Sequence, residues 1–382
     1  MIHYCVRCVI SNQRPVASRE YARTPGSEPG RIQFDADGVC AACRVAERKA
    51  RTDWAERAAR LEDVLRRHRR TDGRPDVVVP GSGGKDSIMA AHLLRDTFGM
   101  HPLTVTWRPH EYTDVGWRNF NTWLAQGFDN VLVTPNPRVH RLLTRLAFEH
   151  LGHPFQPFVL GQRSLGPKLA AAHGIGLVMF GEDDSEYEGA AGWQEKQDEP
   201  TALSDIRLGG VSVDALIRDH GLTLSDLWIY LPMAPHKVEC RALGNYVPWQ
   251  PQAAYYFAAE HGFEANEERT EGTYSKYNSI DDRLDPLHYY LTWIKFGLGR
   301  ASYDAAQEIR NGHLTRGEGI NLARLYDGEL RSSTVQFGGE YMGISEAEFW
   351  AVITRLRRER PWLWREEGEQ WRLTTPIWES AE

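Results

Sequence analysis

The run Pro80-Gly81-Ser82-Gly83-Gly84-Lys85-Asp86-Ser87 constrains this chain more than any other. It directly follows Val77-Val78-Val79 and directly precedes Ile88-Met89-Ala90-Ala91-His92-Leu93-Leu94. An apolar β-branched run, a glycine-rich turn and a second apolar run predict strand, tight turn, helix. Such a turn leaves backbone N–H groups bare at a helix N-terminus, which is a ready anion site. Gly81, Gly83 and Gly84 allow positive φ and close approach to a ligand. Lys85 adds a mobile positive charge, and Ser82 and Ser87 add hydroxyl donors. Two other phosphate motifs are excluded. A Walker A loop needs glycine where Val79 stands and Ser or Thr where Asp86 stands. A dinucleotide fingerprint needs a third glycine at Asp86.

The chain has 382 residues, enough for two domains or for one domain with large attachments. No run of 18 apolar residues is present, so no transmembrane helix is expected. The start Met-Ile-His-Tyr-Cys-Val-Arg-Cys lacks the apolar core of a signal peptide, and the expected compartment is the cytoplasm. Paired cysteines there more often hold metal than form disulfides. Net charge is −7 but uneven: basic residues outnumber acidic ones before residue 75, and the remainder is acidic. The arginines from Arg44 to Arg74 could touch nucleic acid, but Trp54, Ala58, Leu61 and Leu65 recur at helical spacing, so a solvated amphipathic helix is favoured. The acidic body argues against extensive RNA binding.

Cys5-Val6-Arg7-Cys8 and Cys40-Ala41-Ala42-Cys43 are two C-x-x-C knuckles. Each presents two thiolates to one side of an ion, and together they predict a closed, structural four-cysteine zinc site. An iron–sulfur cluster uses the same donors. Between them, Pro15, Pro25, Gly26, Pro29 and Gly30 predict an irregular excursion, and Asp35 to Val39 a turn into the second knuckle. Cys240 stands alone and is expected to be a buried small apolar residue.

Residues 45–70 read as one helix. Strands are expected at 77–80, 103–107, 130–134 and 176–180, with helices at 86–98, 116–126, 137–150 and 160–173. This alternation predicts an α/β fold, a parallel sheet with helices on both faces, whose ligands gather at the strand C-terminal edge. That edge collects the glycine loop, Thr106, Trp107 and Arg108, Thr134, and Gly181 with Glu182. The expected division is 1–70 for the cysteine module and linking helix, 71–240 for the nucleotide domain and 241–382 for a mostly helical region that receives substrate or partner. Within it, residues 185–235 read as an insertion or mobile lid, and 345–382 as a helical cap. Residues 270–283 mix aromatics with charges and show no period. Lys276 there, and Lys295 and Arg300 in the following stretch 289–300, could grip phosphates, and Asp281 or Asp282 could hold Mg2+.

Ser82 to Ser87 resembles the PP-loop of the ATP pyrophosphatase superfamily, whose fold is adenine nucleotide alpha hydrolase-like. Four stretches extend the resemblance: Ser11-Asn12-Gln13-Arg14-Pro15 after the first knuckle, Phe34-Asp35 before Gly38-Val39-Cys40, the Val79–Ser87 loop, and Lys295-Phe296-Gly297-Leu298-Gly299-Arg300-Ala301. Together they are similar to the N-acetyl sugar amidotransferases of bacterial surface polysaccharides, which make acetamidino sugars for lipopolysaccharide O antigen or nonulosonic acids. The resemblance spans about residues 5 to 330.

That resemblance implies a carbon–nitrogen ligase using ATP, Mg2+ and Zn2+. An acetamido oxygen attacks the α-phosphate, pyrophosphate leaves, and ammonia displaces AMP. Lys85, Asp86, Lys276, Lys295 and Arg300 are the expected catalytic residues, with Asp86 on Mg2+. Gly81, Ser82, Gly83, Gly84, Lys85, Asp86, Ser87, Thr106, Trp107, Gly181 and Glu182 are the expected nucleotide contacts. The chain shows no nucleophile elbow or N-terminal catalytic cysteine, so ammonia is expected from separate glutaminase/cyclase-like subunits. The alternative is a PP-loop tRNA thiolase, which would need further cysteines to carry sulfur.

Overall fold

Val77, Val78 and Val79 are all buried, yet they face two cores. Val77 and Val79 pack with Leu61, Leu65, Ile88 and Trp123, whereas Val78 packs with Leu143, Leu160 and Leu165. Leu177 and Met179 repeat the first assignment and Val178 the second. This period of two, apolar on both sides, belongs to a strand covered on both faces. The structure, a computed structural model, describes residues 1–15, 23–28, 30–182, 203–232 and 238–380.

The main sheet is parallel throughout. Its strands are β1 (Val77–Pro80), β2 (Pro102–Trp107), β3 (Asp129–Val133), β4 (Leu177–Phe180) and, after a small hairpin of β5 (Arg207–Leu208) and β6 (Val211–Ser212), β7 (Glu239–Ala242). The order is β3-β2-β1-β4-β7. The chain runs outward from β1 to β3 and then returns to the other side of β1. The C-terminal ends of β1 and β4 therefore flank the switch point, where ligands of such sheets bind.

Helices α1 (Ala41–Lys49) and α2 (Trp54–His68) replace the single helix expected at 45–70. The break has a local cause: the Asp53 carboxylate accepts from the N–H groups of Ala55 and Glu56 and so starts a new helix. On α2, Leu61, Val64 and Leu65 are buried, while Arg60, Arg66, Arg67 and Arg69 each join an ion pair. The solvated amphipathic helix is thus the form this segment takes. Helices α3 (Lys85–His92, continued by a π-helical turn to Thr97), α4 (Asp114–Ala125), α5 (Pro137–Leu151) and α6 (Gln156–Ala172) fall near the expected places. The Pro at the first turn of α5 and the left-handed Gly152 after it mark its ends.

Two expectations are corrected. Glu239-Cys240-Arg241-Ala242 was not expected to be a strand, and Cys240 is exposed on it rather than buried. This is an edge strand, so it needs no continuous apolar run. The C-terminal cap is not wholly helical: helix Glu346–Arg358 is followed by a hairpin of β8 (Trp364–Glu367) and β9 (Gln370–Leu373). Of the expected lid, residues 203–232 carry β5, β6 and helices Val213–His220 and Leu224–Leu227, and the remainder lies outside the described residues, as does Pro29.

Helices Asp285–Phe296, Arg300–Arg310, Arg316–Tyr326 and Ser332–Met342 complete the C-terminal region. They share a core with the sheet's own helices: Phe148 of α5 and Phe155 pack among Leu287, Leu291, Phe349 and Ile353. Among the described residues, no helix is long and apolar enough to cross a membrane.

Candidate functional site

A cavity of about 470 Å³ opens at the switch point. Its floor is the loop from Pro80 to Ser87, and Gly181 and Glu182 after β4 form one side. Gly84, with φ −75° and ψ 161°, stands before the first residue of α3, so the helix N-terminus faces the cavity. Lys85 is 7 % exposed; its Nζ donates to Asp86 Oδ2 at 2.6 Å and lies over the Trp249 ring. The Trp249 indole N–H donates to the other oxygen of Asp86 at 3.0 Å. Ser82 Oγ donates to Asp281 Oδ2 at 2.7 Å, and Ser87 Oγ donates to the Gly84 carbonyl at 2.9 Å.

The glycines here are required for different reasons. Gly83 has φ +86°, and a Cβ on it would lie 2.7 Å from the Asn119 carbonyl oxygen. A Cβ on Gly181 would lie 2.3 Å from the Asp86 carbonyl oxygen, so β4 and α3 touch backbone to backbone. A Cβ on Gly84 would meet nothing within 4 Å. Gly181→Ala is therefore expected to destabilise the fold by about 2 kcal/mol or more, because backbone cannot step aside cheaply. Gly84→Ala should melt like the wild type and lose nucleotide affinity, because its methyl enters the cavity. Thermal melts beside nucleotide titrations check the pair. Equal melting of both variants would contradict the packing argument.

The opposite wall comes from the C-terminal region. Asp285, His288, Thr292 and Lys295 recur at helical spacing along one face of helix Asp285–Phe296, and all line the cavity. Helix Arg300–Arg310 adds Tyr303, Asp304, Gln307 and Arg310. Burial raises the pKa of Asp281 and Asp304 above the ordinary carboxylate value. It raises that of Asp285 further, with repulsion from Asp282 and Asp281 added. Burial, then the charge of Lys295, lowers His288 to about 3, so that ring is neutral at pH 7.

The structure gathers most, but not all, of the expected site residues. Gly81, Ser82, Gly84, Lys85, Asp86, Ser87, Gly181, Glu182 and Lys295 line the cavity. Gly83 supports the loop from behind. Arg163 donates to Glu182 at 3.0 Å. Thr106 and Trp107 do not line it: Thr106 is buried and accepts from Asn130, and the Trp107 ring occupies the space over Gly161 of α6. A strand-end tryptophan here serves the core. Lys276 is exposed and donates to the Glu267 carbonyl at 2.6 Å, away from the cavity. Arg300 is buried behind the wall, where it donates to the carbonyls of Asn278 and Ser279 and stacks over Tyr289. It holds the turn at Ser279, the one non-glycine with positive φ (44°) among the described residues. Of the two proposed magnesium carboxylates, Asp282 is taken by His110 and the Leu284 N–H, whereas Asp281 faces the loop.

Sequence reasoning missed Trp249, Asp285, His288 and Asp304. The polar stripe at 285, 288, 292 and 295 on an otherwise apolar helix could have revealed two of them. Trp249 had no local signal.

The four cysteines are buried together, and their sulfurs all lie within 4.8 Å of one another. Cys5 Sγ is 3.8 Å from Cys43 Sγ, and Cys8 Sγ is 3.7 Å from Cys40 Sγ. The N–H groups of Arg7 and Cys40 point at Cys5 Sγ at 3.4 and 3.3 Å, which suits a thiolate. Arg316 ties the first knuckle down by donating to the carbonyls of Cys5 and Cys8. This nest could hold a metal ion.

A parallel sheet covered on both faces, with a Ser-Gly-Gly-Lys-Asp-Ser turn at its switch point, is an α/β fold of the PP-loop type. Here it carries an N-terminal four-cysteine module and a helical C-terminal region. Residues 271–377 match the family described as LPS biosynthesis protein WbpG-like, C-terminal domain. No curated protein matches the chain. Among solved structures, it resembles U34-tRNA thiolase NcsA from Methanococcus maripaludis with its [4Fe-4S] cluster at 14 % identity and TM-score 0.30, covering 85 % of this chain and 97 % of that one. It also resembles a predicted subunit of tRNA methyltransferase from Methanocaldococcus jannaschii at 16 % identity and TM-score 0.26, covering 48 % and 76 %. Similarities at this level carry no functional argument.

Proposed function

We propose that this chain is an ATP-dependent N-acetyl sugar amidotransferase of lipopolysaccharide biosynthesis, acting on a nucleotide-linked sugar. One observation carries the reading: Ser82 of the glycine loop is hydrogen-bonded to Asp281 of the WbpG-like domain, so a phosphate-binding loop and a polysaccharide-enzyme domain face one cavity.

In the proposed reaction the acetamido oxygen attacks the α-phosphate of ATP, and the bond to pyrophosphate breaks as the new P–O bond forms. Ammonia adds to the imidate carbon. AMP departs with the former amide oxygen, one proton leaves the attacking nitrogen, and an acetamidino group remains. An amide resists amination because its oxygen leaves poorly, and adenylation supplies a good leaving group. The helix N-terminus and Lys85 are suited to the charge that grows on the pyrophosphate. Mg2+, when bound, would neutralise phosphate charge, and Asp86 is the oxygen donor at the loop that suits it. Asp281, Asp285 and Asp304 line the cavity and burial favours the protonated form of each, so one of them would take up the departing proton only while ionised. Ammonia would come from a separate glutaminase/cyclase-like partner.

For the thiolates we favour one zinc ion. Four sulfurs at about 2.3 Å from one tetrahedral ion lie about 3.8 Å apart, which agrees with the 3.7 and 3.8 Å separations. A cubane cluster separates its thiolates further. Thiolation is disfavoured because no cysteine is among the cavity-lining residues that the structure describes.

The test is AMP and pyrophosphate release with Mg2+, ammonium and a panel of nucleotide-linked N-acetyl sugars, with mass spectrometry of the sugar. AMP formation that needs both sugar and ammonium, with a mass loss of about one unit as NH replaces O, is the expected result. ATP consumed only with tRNA and a sulfur donor would overturn the proposal.

A further inference from the structure

Helix Arg300–Arg310 has two working faces. Ala305 and Ala306 pack into the cysteine nest with Cys5, Cys8, Cys40 and Cys43. Tyr303, Gln307 and Arg310, at i, i+4 and i+7, line the catalytic cavity. Residues 9–15 join these faces: Val9 and Ile10 pack in the nest, and Arg14 and Pro15 line the cavity. This segment is pinned by the Tyr4–Ser11 bridge, and is pinned again where the Ile32 N–H donates to the Arg14 carbonyl at 2.9 Å. Between those ties it places Arg14, 4 % exposed, on the cavity wall with its guanidinium 5.5 Å from the centre of the Tyr303 ring. Arg23, later in the chain between the knuckles, lines the cavity too.

We infer that Arg14 binds an anionic group of the sugar acceptor, and that the four-cysteine centre sets the position of Arg14, so that metal occupancy controls acceptor affinity. This rests on the functional reading above for the identity of the acceptor, but not for the coupling. The chemistry supports it. Guanidinium stays charged at any working pH, and its planar fork suits phosphate or carboxylate. The glycine loop forms a separate anion pole on the sheet, so ATP and acceptor would each have their own. Because the first knuckle roots residues 9–15, loss of the ion would release the end of the segment that carries Arg14.

Two measurements on the full-length protein test this. The first is calorimetric titration of wild type, of Arg14→Gln, and of protein stripped by a chelator and then refilled with Zn2+. The probes are α,β-methylene-ATP with Mg2+ and a nucleotide-linked N-acetyl sugar. Sugar affinity is expected to fall at least tenfold in Arg14→Gln and in stripped protein, to recover on zinc addition only in the wild type, and ATP-analogue affinity in Arg14→Gln is expected to stay within twofold. The second is labelling by phenylglyoxal, mapped by peptide mass spectrometry. Arg14 should be protected in metal-loaded protein and become reactive on stripping, whether or not a sugar is present. Wild type that binds the ATP analogue but no sugar would sink the functional reading, and the labelling would still decide the coupling. Unchanged sugar binding in Arg14→Gln, or Arg14 equally protected with and without metal, would overturn this inference.

Discussion

Lys85→Met is expected to lower AMP formation by about a hundredfold to a thousandfold, the usual loss when one preorganised donor is removed from developing charge. Lys85 is the cation at the start of α3, and its Nζ donates to the neighbouring Asp86 carboxylate at 2.6 Å. The Trp249 indole holds the other oxygen of Asp86, so the variant keeps the carboxylate in place while removing the cation. It should remain folded but lose about 1–3 kcal/mol, because Asp86 loses a charged partner. Initial rates of pyrophosphate release, beside a thermal melt, separate the two effects. Activity within tenfold of wild type would mean that the loop's backbone carries the phosphate alone.

Cys40→Ser should abolish stoichiometric metal and lower the melting temperature by roughly 10 °C or more. Thiolate binding of a structural ion contributes folding energy directly, and each kcal/mol moves Tm by about 2 °C in a chain of this size. Cys40 stands at the N-cap position of α1 with its side chain turned to the other sulfurs, and its N–H donates to Cys5 Sγ. Serine is a good N-cap residue and the Cys40 side chain makes no capping bond, so the substitution removes one thiolate and leaves the helix start intact. Cys240→Ser is the matched control. It sits exposed on β7 and should change stability by less than about 0.5 kcal/mol. Elemental analysis with calorimetric melts reads both. Full metal occupancy in Cys40→Ser would refute the four-thiolate site.

The main sheet was legible because β1, β2, β3 and β4 each contain an apolar run between turn residues. β7 escaped because Glu239-Cys240-Arg241-Ala242 carries charges where a strand signal needs an apolar run, whereas the other edge strand, β3, keeps Val131-Leu132-Val133 although it too is partly solvated. The loop and the cysteines were legible because their chemistry is set by residues adjacent in sequence. The opposite wall was not, since it assembles from positions some two hundred residues away: Ser82 meets Asp281, and Asp86 meets Trp249. Charge alone also misled. Arg300 and Lys276 have the right chemistry for phosphate, but one props a turn and the other caps a carbonyl at the surface.

The dual-faced helix Arg300–Arg310 also bears on how such a protein could be shuffled in evolution or in the laboratory. The family-matched stretch begins at residue 271, yet it is not a free-standing part. Excised there, it would turn Leu298, Ala305, Ala306 and Ala323 outward where the cysteine nest had covered them, and Leu287 and Phe349 where Phe148 and Phe155 had. Such a fragment is expected to aggregate. Chimeras between relatives should work only when both ends of the chain come from one parent, with the crossovers placed inside the sheet domain.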